Sequence, residues 1–113
     1  MAAAPLVKAG KRLPMGVPSL KKANFDWEHI FDRHSDWGAV AKQSGNKSLF
    51  QGLNESQIRG VVKGAYQNIY KHTKSATQPH MTILRGRYKS WDVEFWVDRT
   101  TKTVKTAYPI GRK

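Results

Sequence analysis

Residues 90–98 read SWDVEFWVD, and their character alternates. In an extended chain Trp91, Val93, Phe95 and Val97 share one side, and Asp92, Glu94, Trp96 and Asp98 share the other. A period of two, carried by β-branched and aromatic residues, predicts a strand with one face in a core. The stretches on either side are of the same kind: 81–88, MTILRGRY, and 103–110, TVKTAYPI. The connectors, KS at 89–90 and DRTTK at 98–102, are too short for a helical crossover. The three strands therefore form an antiparallel meander. Within the last of them Thr106 and Tyr108, two residues apart, point to the same side.

Upstream the period lengthens. From Asn24 the chain runs NFDWEHIFDRHSDWG, a cap-type residue followed by Asp26 and Glu28, which suit the positive end of a helix dipole. Trp27, Ile30, Phe31 and His34 then fall at i, i+3, i+4 and i+7, a stripe facing a core. A second helix starts at Asn54, with Gln57 three residues on completing a capping box. Ile58, Val61, Val62, Ala65, Tyr66, Ile69 and Tyr70 continue its apolar stripe, so the helix is expected to run to about His72. Gly60 and Gly64 weaken it by roughly 1 kcal/mol each relative to alanine and suggest close approach to another element. The expected fold class is α+β, with N-terminal helices packed on a C-terminal antiparallel sheet of three to four strands. Residues 1–24, with three prolines, two glycines, five cations and no acid, read as a basic linker, and 25–113 as a single domain.

Charge is the strongest bulk signal. Twenty Lys and Arg against eight Asp and Glu give a formal +12. The cations fall 5 in 1–24, 3 in 25–56 and 12 in 57–113, whereas the acids fall 0, 5 and 3. So uneven a positive field favours a polyanionic partner, nucleic acid first, and is compatible with an acidic protein. No apolar run approaches the ~20 residues of a membrane span, and no continuous apolar segment near the N-terminus reads as a signal peptide. With no cysteine there is no disulfide framework and no thiol chemistry.

The motifs narrow the chemistry by what is missing. His29 and His34 are five apart, no HExxH or carboxylate-rich loop occurs, and a metal site is not expected. No phosphate-cradling glycine loop or dinucleotide fingerprint is present, so no cofactor is expected. What remains is histidine, arginine or lysine, and hydroxyls on a basic scaffold. RNA offers a reaction that needs only these. Its 2′-OH attacks the adjacent phosphorus when a base removes the proton, an acid protonates the leaving 5′-oxygen and cations stabilise the phosphorane. Histidine suits both proton transfers, and arginine supplies paired donors to phosphate. DNA lacks the 2′-OH, which makes this route RNA-specific. On the residues alone His34 also fits a semi-buried structural histidine, His29 a surface role, and His72 and His80 a solvated loop. Trp37, Trp91 and Trp96 fit core packing or base stacking.

HIFDRHS in a first helix, followed by VEFWVD, a short turn and a terminal TVKTAYPI, resembles the small ribonuclease toxins of the barnase/EndoU/colicin/RelE (BECR) superfamily. Such domains stand at the C-termini of contact-dependent inhibition proteins, other polymorphic toxins and bacteriocins. The likeness covers about residues 25–113 and leaves 1–24 as the junction with a larger delivery protein in cis. It implies helices followed by a four-stranded antiparallel sheet. It places the family's helical histidine and preceding basic residue on Arg33 and His34, and its terminal T-x-Y pair on Thr106 and Tyr108. HSDWG at 34–38 is also similar to the active-site turn of colicin D-type tRNases. The glycine-rich context of the second EndoU histidine is absent, so the second acid/base stays open among His29, Arg85 and Lys89. The resemblance implies a metal-independent tRNase that leaves a 2′,3′-cyclic phosphate. It further implies a cognate acidic immunity protein, release from a bacterial cell and action in the target-cell cytoplasm. Lys89, Lys105, Arg112 and Lys113 are the candidate RNA-binding cations. A non-catalytic basic RNA- or DNA-binding module is the other class these features allow.

Overall fold

The structure, a computed structural model, describes residues 13–14, 16–35, 37–38 and 49–112, without the side chains of 111 and 112. Among the described residues the elements, in chain order, are β1 (Asn24–Phe25), α1 (Trp27–His34), α2 (Glu55–Tyr66), β2 (Ile69–Lys74), β3 (Met81–Tyr88), β4 (Trp91–Asp98) and β5 (Thr103–Arg112). The class is α+β. The five strands form one mixed sheet in the order β1-β5-β4-β3-β2. Strands β2 to β5 are antiparallel neighbours, and β1 adds to the β5 edge in parallel, Phe25 opposite Val104.

The core face of β4 is the expected one: Val93, Phe95 and Val97 are fully buried and Trp91 nearly so. On the other side Trp96 is half-buried, and Asp92 and Glu94 are covered with Arg87 and Arg85 paired to them. Removing each such apolar side chain from water contributes about 1.5–3 kcal/mol. Ile58, Val62 and Ala65 of α2, Ile30 and Phe31 of α1, Phe50, and Leu84 of β3 join them in one core. Tyr66 closes it, its ring edge-on to Phe95 at 5.3 Å and its hydroxyl donating to the Pro18 carbonyl at 2.6 Å. Part of the stretch read as a linker is thus packed: Val17 is buried, and Leu13, Leu20 and Ala23 lie against the core. Lys102 Nζ reaches the Gly16 carbonyl at 3.0 Å.

Three expectations need correction. The sheet has five strands and is mixed, not three to four antiparallel. The first helix is capped by Asp26, whose side chain accepts from the His29 N–H at 3.2 Å, because Asn24 and Phe25 are taken up by β1. The second helix begins as expected, with both bonds of the Asn54–Gln57 capping box present, at 2.8 and 2.9 Å, but ends at Tyr66 and not near His72. Gln67 N–H turns back to the Lys63 and Gly64 carbonyls, and the Asn68 carbonyl already accepts from Arg87 N–H at 3.2 Å. Ile69 satisfies either period, since it is buried both as the next residue of a helical stripe and as the first residue of β2. Pairing with β3 supplies ladder hydrogen bonds that an isolated extra helical turn lacks.

The glycines report how closely α2 meets the sheet. A Cβ on Gly64 would sit 2.3 Å from the Tyr88 ring, and one on Gly86 would sit 2.0 Å from the Ala65 carbonyl oxygen. Gly60 faces open space, so only one of the two helical glycines marks a close approach.

Candidate functional site

Strand β5 carries the device that builds the site. Val104 pairs with Val97, but Thr106 pairs with Trp96, so Lys105 is an extra residue on β5. Such a bulge resets the alternation of the strand that bears it. Without it Val104, Thr106 and Tyr108 would face the same way. With it Val104 and Ala107 are both fully buried in the core, and Thr106 and Tyr108 turn to the opposite face. There Tyr108 lies opposite Glu94, Glu94 opposite Arg85, and Arg85 opposite Lys71, one row across four strands.

The row is bonded side chain to side chain. Tyr108 donates its hydroxyl proton to Glu94 Oε2, and Trp96 Nε1–H donates to both, at 3.0 Å each. Arg85 Nε–H donates to Glu94 Oε1 at 3.0 Å. Burial opposes ionisation of Glu94, yet the donors from Tyr108, Trp96 and Arg85 outweigh it and hold its pKa below 4.5. Glu94 is therefore an anion with both oxygens engaged, which orients its neighbours. Tyr108 moves the other way: burial and the adjacent carboxylate push its pKa up to about 12, and its proton stays in place at neutral pH.

Helix α1 lies along the β5 edge and brings the histidines. The His34 ring is 5.1 Å from the Tyr108 ring, centroid to centroid, and His34 is 8% exposed. Its backbone is fixed by the return of the chain: Phe50 N–H donates to the His34 carbonyl at 2.7 Å, beside a parallel bridge between Ser35 and Phe50. His29 stands 6.5 Å from His34, ring to ring. Burial and the charge of Arg33 lower its pKa below the ordinary 6.5. Two open cavities adjoin it. One, of about 570 Å³, lies between α1, the bulge and the β2–β3 connection, with Trp96 and Thr106 in its wall. The other, of about 300 Å³, contains Arg33 among acidic neighbours. The Thr106 hydroxyl is buried and makes no hydrogen bond.

The structure thus gathers His34, Tyr108, Thr106, His29 and Arg85 on one face of the sheet. Arg33 is exposed and shares only the second cavity with His29. Lys89, with φ +55° at the β3–β4 turn, lies over α2 in a different cavity of about 320 Å³ with Leu53, Gln57 and Tyr88. That position takes it away from the histidines. Lys105 is exposed at the mouth of the 570 Å³ cavity. The Arg112 side chain and Lys113 lie outside the described residues, as does Asp36 of the HSDWG turn.

Sequence reasoning missed Glu94 as a member of the candidate site and weighed Trp96 only for core packing or base stacking. The signal was present, since strict alternation in 91–98 puts them opposite the core. It also missed Tyr70, which sits on β2, is 43% exposed, and donates to Asp92 Oδ1 at 2.6 Å with Arg87 4.8 Å over its ring. Among the described residues no three His, Asp or Glu side chains group as a metal site, and no helix is long and apolar enough to cross a membrane. No family model, no curated protein and no solved structure matches the chain.

Proposed function

We propose that the chain is an endoribonuclease that cuts single-stranded regions of RNA, tRNA above all, by attack of the 2′-OH on the adjacent phosphorus. The observation that carries this reading is the meeting of His34 and Tyr108 across the α1–β5 seam, with His29 6.5 Å further along the same helix. In-line transfer needs proton-handling groups on opposite sides of the phosphorus. Two imidazoles at that separation meet the requirement. His29, kept neutral by its lowered pKa, takes the 2′-OH proton as the new O2′–P bond forms. His34 gives a proton to O5′ as the P–O5′ bond breaks, leaving a 2′,3′-cyclic phosphate and a 5′-hydroxyl.

The other side chains position and stabilise. The Thr106 hydroxyl, buried and unpartnered at the edge of the 570 Å³ cavity, supplies a donor for a non-bridging oxygen once a side-chain rotation turns it outward. Tyr108, locked by Glu94 and Trp96, fixes the plane against which His34 rests. Arg85, 42% exposed although paired with Glu94, offers its remaining N–H groups to the phosphate. The two helices ahead of the antiparallel strands β2 to β5, the histidine on α1 and the T-x-Y pair on the last strand support membership of the BECR toxins. On that reading the partners are a delivery protein in cis and an acidic immunity protein, and the place of action is the target-cell cytoplasm. The test is brief induced expression of the chain, with total RNA run on a denaturing gel. Discrete tRNA fragments that vanish in His34→Ala are expected. Intact RNA together with retained RNA binding would make the protein a binding module.

A further inference from the structure

We infer that the 570 Å³ groove beside the bulge is a subsite for the nucleotide flanking the scissile phosphate, with Trp96 as the surface for its base and Lys105 and His80 as the contacts for its phosphate. The inference rests on the ribonuclease reading and extends it to Lys105 and His80, which that reading does not use, and to the ring face of Trp96.

Trp96 forms part of the groove wall, and its indole N–H is anchored inward by Glu94 and Tyr108 at 3.0 Å. The ring is therefore held in one orientation while the residue stays half-buried. A fixed aromatic surface suits a base of any sequence, because every base has a π-face. The exposed His80, which lines the same groove, ends the β2–β3 connection, and its backbone carbonyl accepts from Arg99 N–H at 3.0 Å. The bulge gives Lys105 to the groove and leaves Thr106 between groove and histidines. A strand laid along this groove passes Thr106, Trp96, Lys105 and His80, which all line it.

Two carboxylates share the groove, and both are already engaged by backbone amides. Asp26 caps α1 through the His29 N–H, and Asp98 accepts from Thr100 and Thr101 N–H at 2.8 and 3.3 Å. They outnumber Lys105, the one Lys or Arg among the described residues that line the groove, so the groove selects by stacking and hydrogen bonding and not by net charge, unlike the Arg85–Lys71 side of the face.

The test uses the full chain and 2′-O-methyl oligonucleotides of two and four residues in mixed sequence, which cannot be cleaved. The tetramer should bind about tenfold tighter than the dimer, the scale of one added stacked base. It should also shift the Trp96 indole N–H resonance, identified by its loss in Trp96→Phe. Lys105→Ala and His80→Ala should each weaken the tetramer about threefold to tenfold and the dimer less. A tetramer no tighter than the dimer, a stationary Trp96 signal, or equal weakening of both lengths would overturn the subsite. If the probes bind in this way while RNA stays intact, the ribonuclease reading fails and the groove stands as a nucleotide-binding site without cleavage. If RNA is cut but the tetramer has no advantage, the subsite alone fails.

Discussion

Tyr108 is held at both ends, its ring against His34 and its hydroxyl on Glu94, and each end makes a different test. Tyr108→Phe keeps the ring and removes the hydroxyl, leaving Glu94 its bonds from Arg85 and Trp96. That variant should stay folded and lose part of its cleavage. His34→Ala removes a proton-transfer group, which typically contributes ~10²–10⁴-fold. A structural histidine would instead show itself as a loss of about 1–3 kcal/mol in stability. Thermal melts measured beside cleavage rates separate the two, and the expected pattern is a small change in melting with a large change in rate. An early melt with normal cleavage at low temperature would make His34 structural. The lowered pKa of His29 yields a pH test. A base is active when deprotonated, so the acid limb of kcat/KM should lie below pH 6.5, the ordinary imidazole value. In His29→Ala that limb should disappear. A limb at or above 6.5 in the unaltered chain would count against His29 as the base.

At the scale of elements, the contact between α2 and β3 is set by glycines whose neighbours are backbone or ring atoms. Gly86→Ala would drive a methyl into the Ala65 carbonyl, a backbone group that cannot swing aside. The expected cost is about 1–3 kcal/mol or more, as for overpacking in general. Gly60→Ala meets nothing and replaces a poor helix former with a good one, for a gain of about 1 kcal/mol. Chemical denaturation of both variants checks the opposite signs. Much of this level was legible beforehand. The alternation in 91–98 assigned the core face of β4, and Asn54–Gln57 assigned the start of α2. The end of α2 was not legible, because Ile69 and Tyr70 fit a period of 3.6 as well as they fit a strand. Only the partner strand β3 decides between them. Strand β1 escaped for a related reason: two residues carry no period, and their pairing with Thr103 and Val104 is a tertiary event.

For the whole molecule the uneven charge is the governing quantity. Twelve of the twenty cations lie in 57–113 against three acids, and two of those acids, Asp92 and Glu94, are buried under Arg87 and Arg85. The field outside is correspondingly positive. An acidic inhibitor should associate quickly at low salt and more slowly as ionic strength rises. On the toxin reading a neighbouring gene is expected to encode a small acidic protein that protects cells when co-expressed with the chain; absence of protection would count heavily against that reading. The candidate site was half legible. Thr106 and Tyr108 share a face as their spacing requires, and the motif singled out His34, whose ring lies beside that of Tyr108. The bulge at Lys105, which turns that face away from the core, has no signature in spacing alone. The partnership of Glu94 with Arg85 needed the β3–β4 register. The most direct test of the central claim is cleavage of tRNA by the purified chain in excess EDTA, with the ends of the fragments analysed by mass spectrometry. The account predicts undiminished cleavage and 2′,3′-cyclic phosphate ends, both lost in His34→Ala. Cleavage that stops in EDTA and returns with a divalent ion, or that leaves 5′-phosphate and 3′-hydroxyl ends, would contradict it.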